Sequence, residues 1–546
     1  MCYTFAMPLQ EDLQSIMHGE VACDDAAKTA ASRDTSLFQV LPSAVVHPMN
    51  VHDICELVRY ASTHPETSLT ARSAGTDMTG GPLTEGIVVD MTTHFTRIGE
   101  IHESSIVVEP GVYYRDFEKK TLAHNWLLPS YPASKDLCTV GGMVNNNSGG
   151  EKTLMYGKTD KYIEKLSVVL SDGNEYELRP LSKTELDSAM QEQTFLGQVY
   201  RDMHILLEKN YDAIQQAKPH VSKNSAGYAL WNIWDRKTFD LTKLFAGSQG
   251  TLGITTEIQF QLVRPKKHAA MLVLFLHSLE PLAELTNHIL KYQPESFESY
   301  DDHTLSVALR LFPSFVRKLK TNAFALGLQF LPEALMLARG GLPKLIIMAE
   351  FTGNDAHEAI IRAKAAQSAT KKFNILSRIA TTKQEQDKYW TIRRESFHLL
   401  REHVHGKHTA PFIDDCIVEP KYLPEFLPKL AAILEKYNLD YTIAGHVGDG
   451  NFHIIPLMDL HDEKQRAIIP KASKEVYDLV FSFHGSSTAE HNDGLIRSHL
   501  LPQMYGKEIY GLFEETKKIF DPENIFNPGK KVNSNWDYSL KHIEAY

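Results

Sequence analysis

AGHVGDGNFH, residues Ala444 to His453, reads as the tip of a β-hairpin that carries two histidines. Apolar residues alternate through 441–444 and 452–456, and Asp449-Gly450 between them is a strong signal for a two-residue turn. With the turn on those two residues, Gly448 opposes Asn451, Val447 opposes Phe452, and His446 opposes His453. Directly opposed side chains stand about 4.5–5.5 Å apart at Cβ, close enough for two imidazoles to hold one metal ion. The plain alternative is a cross-strand pair in a chain with 25 histidines.

The surrounding pattern sets the fold class. Strands are expected at 270–276, 344–351 and 411–418, and helices at 279–292, 355–372, 384–403 and 421–437. Such elements fit a sheet covered on one face, an α+β domain. Before Val263-Arg264-Pro265-Lys266-Lys267 the texture differs, with short β-rich runs at 86–90, 105–109 and 166–170 separated by glycine-rich loops. The last segment holds a helix and then FDPENIFNPGKK (520–531), a loop placed to return to the first domain. The expected division is a helical or loose leader at 1–30, a first domain at 31–265, a second at 266–508 and a returning segment at 509–546. There are no internal repeats and no low-complexity tract.

A second fragment, STAEHNDG (487–494), places Glu490 beside His491. Two histidines and one carboxylate with an open position form the ligand set of a catalytic zinc or similar divalent ion. A neighbouring unligated histidine can then serve as general base. Adjacent residues on a regular strand point to opposite faces, so Glu490 and His491 share a site only where the backbone is irregular. Otherwise they are a surface pair.

Composition narrows the class. The 546 residues suffice for two or more domains, and 43% hydrophobic with 23% charged content is that of an ordinary globular protein. A net charge of -11 and a pI near 6.1, with no long lysine or arginine block, argue against a nucleic-acid surface. The five cysteines are scattered without a CxxC pair, which excludes a cysteine-ligated iron–sulfur cluster within this chain and fits a reducing compartment. MCYTFAMPLQEDLQ lacks the features of a secretory signal, and no apolar run reaches the roughly 18 residues of a membrane span. The expectation is a cytoplasmic protein with no transmembrane segment; peripheral contact with the inner face of the membrane stays open.

Three glycine-rich loops suit a phosphate or a flavin: ARSAGTDMTGG (71–81), TVGGMVNNNSGG (139–150) and FAGSQGTLGI (245–254). None fits GxGxxG at a strand–helix junction or GxxxxGK[ST]. Each alone reads equally as a set of tight turns.

ARSAGTDMTGG, PASKDLCTVGGMVNNNSGG with Tyr156-Gly157 after it, GSQGTLGI, GHVGDGNFH, AEH and FNPGK occur in one order. In that order and spacing the chain resembles the FAD-linked oxidases of the vanillyl-alcohol oxidase type, and within them the D-2-hydroxyacid dehydrogenases acting on D-lactate, D-2-hydroxyglutarate or glycolate. The resemblance runs from about Ser32-Arg33-Asp34 to about Val532. It implies a two-subdomain FAD-binding domain at 31–265, an α+β substrate and metal domain with an antiparallel sheet at 266–508, and a C-terminal return to the FAD domain. It places Arg72, Ser73, Ala74, Gly75, Thr76 and Asp77 around the FAD pyrophosphate. Pro132, Ala133, Ser134, Thr139, Val140, Gly141, Gly142, Asn146, Asn147 and Gly149 form a second FAD wall, with Gly250 and Ile254 along the cofactor and Asn527 closing it. Residues 71–81 contain no histidine, so FAD is expected to be noncovalent.

The resemblance further implies that His446, His453 and Glu490 bind one divalent ion, expected to be zinc, and that His491 is the base. The metal would lower the pKa of the substrate hydroxyl while neutral imidazole takes its proton and hydride passes to flavin N5. Activity should then fall as His491 becomes protonated. Arg393 in YWTIRRESF resembles the arginine that grips the substrate carboxylate, a solvated helix charge being the alternative. Asn451 is expected to reach flavin or substrate. Tyr228 in KNSAGY is expected to line the site, unless it is buried packing.

Two departures stand out. Asn492-Asp493-Gly494 replaces the usual Gly-Ile-Gly, and an acidic side chain there would repel a second carboxylate, favouring D-lactate over D-2-hydroxyglutarate. Gln249 removes the charge of the usual GSEG. The expected acceptor is a quinone, a cytochrome or a separate iron–sulfur or electron-transfer protein. The competing expectations are a sugar or lactone oxidase that reduces oxygen without the metal site, and a flavin- or metal-binding protein without turnover.

Overall fold

Val-rich runs of the first half pair in two different ways. Ala44–His47 and Ile87–Asp90, apolar along their length, run parallel with Leu69–Arg72 in a four-stranded sheet, where strands covered on both faces need no alternation. The computed structural model describes residues 6–310, 341–403 and 406–544. Glu20–Ala22 adds an antiparallel edge to this sheet, and Leu13 in the helix Ala6–Ile16 is fully buried, so the described part of the N-terminal 30 residues is built into the first layer. Buried Asp53 fastens it by accepting the N–H groups of His18, Gly19 and Met49 at 2.9–3.0 Å.

A second, antiparallel sheet runs in the order Ile98–His102, Ser105–Val108, Ile254–Gln261, Ile163–Val169, Glu175–Leu178. Its alternation of buried and half-exposed positions is that of a sheet with one wet face. Two of the three glycine loops adjoin strand ends, at Arg72 and Ile254, and the third contains the helix Val140–Asn146.

The second half forms one large antiparallel sheet. Its order is Leu376–Ala380, His268–Leu276, Leu345–Gly353, Ser296–Asp301, Asp440–His446, Asn451–Met458 and His408–Thr409, with Cys416–Ile417 also paired to Asn451–Met458. The sheet is covered on both faces, not one. Leu272, Leu274 and Ile347 pack with helices Leu282–Leu290 and Ala356–Thr370, while Met271, Val273 and Met348 pack on Tyr389, Trp390 and Ile392 of helix Lys383–His403.

Two local expectations are corrected. The strand expected at 411–418 shrinks to Cys416–Ile417, because residues 412–415 form a turn that ends with Asp415 at φ 67°. The hairpin turn also holds four residues rather than two: Asp449 and Gly450 donate to the carbonyls of His446 and Val447, so His446 opposes Asn451 and Ala444 opposes His453. A two-residue slip keeps every side chain on its face, and His446 and His453 become diagonal neighbours with ring centroids 5.3 Å apart.

After the helix Leu501–Phe520 the chain returns to the first sheet. Phe526 bridges in parallel to Leu69, and Lys517 holds the bend through Asp521 at 2.5 Å and the carbonyls of Thr251 and Phe526 at 2.7 Å.

Candidate functional site

A cleft of about 600 Å³ lies between the glycine loops and the large sheet. Ser73, Gly75, Thr76, Asp77, Pro132, Ala133, Ser134, Thr139, Gly141, Gly142, Asn146, Gly149 and Gly250 line one part, and His446, His453, Glu490, His491 and Arg393 line the other. Gly250 takes φ +66°, and a Cβ there would meet only Ala71 at 3.9 Å, so its open side forms cleft wall. Gly149 runs so close to the histidine side of the cleft that a Cβ would stand 3.2 Å from Glu490 Oε1. This long cleft, walled by backbone, suits a dinucleotide with one end under the imidazoles.

Six of the expected cofactor residues do not line it: Arg72, Ala74, Val140, Asn147, Ile254 and Asn527. Arg72 turns back to donate to the carbonyls of Ala31 at 3.1 Å and Arg33 at 2.6 Å. Val140 and Ile254 are buried behind the wall, and Asn147 ends a helix at φ 49° and accepts from the Asp160 N–H. Asn527 ties two loops together by donating to the carbonyls of Gly81 at 2.9 Å and Gln249 at 2.7 Å.

Around the histidines the structure is more specific than the sequence. His446 Nε2 lies 3.4 Å from Glu490 Oε2, and a ligand atom from each of His446, His453 and Glu490 falls within 4.8 Å of the others. His491 stacks on His453 at 4.9 Å. The donor set of two imidazoles and a carboxylate fits a divalent ion such as zinc. Each of these two imidazoles also has a carboxylate behind it: His446 Nδ1 meets Glu298 Oε1 at 2.6 Å, and His453 Nδ1 meets Asp414 Oδ1 at 3.2 Å. Such partners fix the tautomer and leave Nε2 for the ion.

Asp414 and Asp415 divide the remaining work. Asp414 Oδ2 accepts from His491 Nδ1 at 2.6 Å, so one carboxylate orients both His453 and His491. Asp415 Oδ2 accepts the N–H groups of Ala489, Glu490 and His491 at 2.7–2.9 Å and the Thr488 hydroxyl at 2.6 Å. That bundle of bonds makes the backbone irregular, which is how adjacent Glu490 and His491 reach one cavity. Fully buried Arg497 braces the turn, donating to the carbonyls of Asp414 at 2.6 Å and Asn492 at 3.0 Å.

The charges follow from these neighbours. Burial opposes protonation of His446 and His491, but Glu298 behind one and Asp415 and Asp414 behind the other hold both near 9. Burial pushes His453 down. Burial would raise Glu490 too, but Lys223 and His446 hold it well below the ordinary carboxylate range.

Lys223, Glu298, Asp414, Asp415 and Arg497 were missed from the sequence. Lys223 opens the same KNSAGY fragment that suggested Tyr228, and its ammonium bonds Glu490 Oε1 and lies 3.4 Å from Asp449. The other available signal was an Asp-Asp pair before a short strand; Glu298 lies in the polar run SFESYD, which gives no such signal. Tyr228 and Asn451 are corrected. Tyr228 is buried, bonded to Thr251 at 2.6 Å and packed edge-on to Phe513. Asn451 is fully buried and donates to Asp415 Oδ1 at 3.0 Å and the Cys416 carbonyl at 3.2 Å; it steadies the turn and does not line the cleft.

The two sequence departures also have structural accounts. Asn492 adopts φ 73°, a left-handed position that Gly or Asn fills, and its amide donates to Gly247 O at 2.9 Å. Asp493 points away from the cleft and accepts from Lys531 at 2.9 Å and the Gly227 N–H at 2.8 Å. Gln249 accepts from the Gly494 N–H at 2.8 Å.

Comparison with known proteins agrees with this architecture. The FAD binding domain family matches residues 42–179, and the FAD-linked oxidase C-terminal domain family matches 265–531. By these two matches the chain carries an FAD binding domain followed by an FAD-linked oxidase C-terminal domain. Among its relatives, a D-2-hydroxyglutarate dehydrogenase of Pseudomonas putida is 27% identical over 523 residues, covering 94% of this chain and 50% of the relative. The glycolate oxidase subunit GlcD of Bacillus subtilis is 27% identical over 502 residues, covering 91% and 90%. The chain thus spans about half the length of the D-2-hydroxyglutarate dehydrogenases it matches first. The 4-ethylphenol oxidase of Gulosibacter chungangensis shares the fold, with a TM-score of 0.69 at 15% identity over 98% of both chains.

Proposed function

We propose that this chain oxidises a D-2-hydroxy acid to the 2-oxo acid, with FAD noncovalently bound in the cleft and one zinc ion on His446, His453 and Glu490. The observation that carries this reading is the convergence of two imidazoles and a carboxylate at one end of a glycine-walled cleft, with a third imidazole, His491, stacked against them. When bound, FAD supplies the hydride acceptor and the ion supplies polarisation of the substrate hydroxyl. In its neutral form His491 takes the hydroxyl proton at Nε2, because its Nδ1 is committed to Asp414. Arg393 receives the substrate carboxylate; its Nε is buried without a partner on the cleft wall. Lys223 holds one oxygen of Glu490, leaving the other toward His446.

D-lactate was the expected substrate because Asp493 would repel a second carboxylate. With Asp493 paired to Lys531 outside the cleft, that repulsion is absent. Arg394 on the same wall is already paired with Glu151 at 2.6 Å, so it does not decide between D-lactate and a dicarboxylate such as D-2-hydroxyglutarate, which stands as the alternative substrate. Electrons would leave for a quinone, a cytochrome or a separate iron–sulfur or electron-transfer protein. No described helix is long and apolar enough to cross a membrane.

The test is an anaerobic titration of the purified yellow protein with both enantiomers of lactate and of 2-hydroxyglutarate. Bleaching of the flavin by a D acid and not its L form is expected, lost on chelation and restored by zinc. A flavin that stays coloured with every 2-hydroxy acid ends the proposal.

A further inference from the structure

The strand Ser296–Asp301 is buried along its whole length, yet it carries a carboxylate in its middle. A charge in that position is costly unless it is paired. Glu298, 1% exposed, spends its two oxygens on two different parts of the site: Oε1 is 2.6 Å from His446 Nδ1, and Oε2 is 3.2 Å from Arg393 Nη2. At this junction two buried polar atoms, Glu298 Oε2 and Arg393 Nε, lack a well-formed hydrogen bond. The arginine is held in place but not satisfied, as suits a group awaiting a second carboxylate.

We propose that Glu298 is a positioning residue that couples the zinc site to the substrate-carboxylate site, one oxygen orienting His446 and the other holding Arg393. This inference rests on the proposed reading of the cleft. The His446 Nδ1–H donates to Glu298, which turns Nε2 toward Glu490 Oε2, where a bound zinc ion would take the place of a proton. The same carboxylate keeps the Arg393 guanidinium against the wall, with Nε free. An arriving substrate carboxylate draws Arg393 away and leaves Glu298 to His446 alone, which strengthens that imidazole as a donor. Because coupling between two binding events is reciprocal, zinc should tighten the acid and the acid should tighten zinc, through this side chain.

The experiment uses the FAD-loaded full chain stripped of metal, with zinc affinity measured by competition against a chromophoric chelator. Glu298→Gln should weaken zinc by about 10–100-fold, the range for a partner behind a ligand. It should also raise KM by at least tenfold for whichever acid bleaches the flavin, with kcat at saturation changed less than KM. Arg393→Ala should tighten zinc several-fold in the parent and less than twofold in the Glu298→Gln background. An equal effect of Arg393→Ala in both backgrounds, or parent-like zinc affinity in Glu298→Gln, overturns the coupling. If no acid bleaches the parent, the proposed function fails, while the two zinc measurements still decide the role of Glu298. If Glu298→Gln loses FAD or does not fold, an unchanged zinc affinity in Arg393→Ala alone overturns the proposal.

Discussion

One carboxylate, Asp414, faces two imidazoles with different tasks. Its oxygens lie 3.2 Å from His453 Nδ1 and 2.6 Å from His491 Nδ1, so both rings present Nε2 to the cleft. His491→Ala removes the proposed base but none of the three proposed zinc ligands. Flavin reduction should fall by about 10²–10⁴-fold, with FAD and zinc contents unchanged; near-normal reduction in stopped flow would remove His491 from the mechanism. Asp414→Asn keeps the shape but costs both rings their charged partner. Zinc affinity and reduction rate should each drop by about 10–100-fold, a paired loss that His491→Ala does not produce. At this scale the sequence was informative about residue type: the His-His-Glu-His set lies on the cleft as expected. Their supporting carboxylates were illegible, since nothing in Asp414 or Glu298 alone states what it faces.

At the scale of elements, the turn at 412–415 sets the geometry of the site. It replaces most of an expected strand because the apolar run Pro411–Ile413 resembles strand sequence, while Asp414 and Asp415 belong to tertiary bonds no local pattern records. Asp415 alone satisfies three backbone N–H groups and a hydroxyl in the segment bearing Glu490 and His491. Asp415→Ala orphans the Glu490 and His491 N–H groups and the Thr488 hydroxyl at once, Ala489 keeping the carbonyl of residue 415 at 3.1 Å. At roughly 1–3 kcal/mol per buried unsatisfied group, a loss of several kcal/mol is expected, read as a lower denaturation midpoint and loss of zinc. A midpoint within a degree of the parent would show the segment is held otherwise. The hairpin shows the converse: its turn was misplaced by two residues, yet the histidines kept one face, because side-chain direction has a period of two.

Across the whole molecule, the two halves and the C-terminal return close on buried ion pairs. Lys531 reaches Asp493 at 2.9 Å and the carbonyls of Ser225 and Gly227 at 3.0 and 2.8 Å, with both charged side chains fully buried. Removing one partner of such a pair strands the other. Lys531→Met should cost about 3–5 kcal/mol and loosen FAD, measured by thermal release of flavin fluorescence. Asp493→Asn in the same chain should recover part of it, and no recovery would separate the two residues. Glu151 and Lys152 join the halves a second time, to Arg394 at 2.6 Å and to Glu295.

The linear chain by itself determined the glycine loops, the change of texture between the two halves and which imidazole and carboxylate groups the cleft receives, because periodicity, turn chemistry and donor identity are local properties. Tertiary structure alone decided which carboxylates stand behind the imidazoles, that Lys223 rather than Tyr228 reaches the site, and that Asp493 answers to Lys531 instead of the substrate. Those outcomes depend on partners 38 to 267 residues away in sequence, and a buried charge is defined by what it meets.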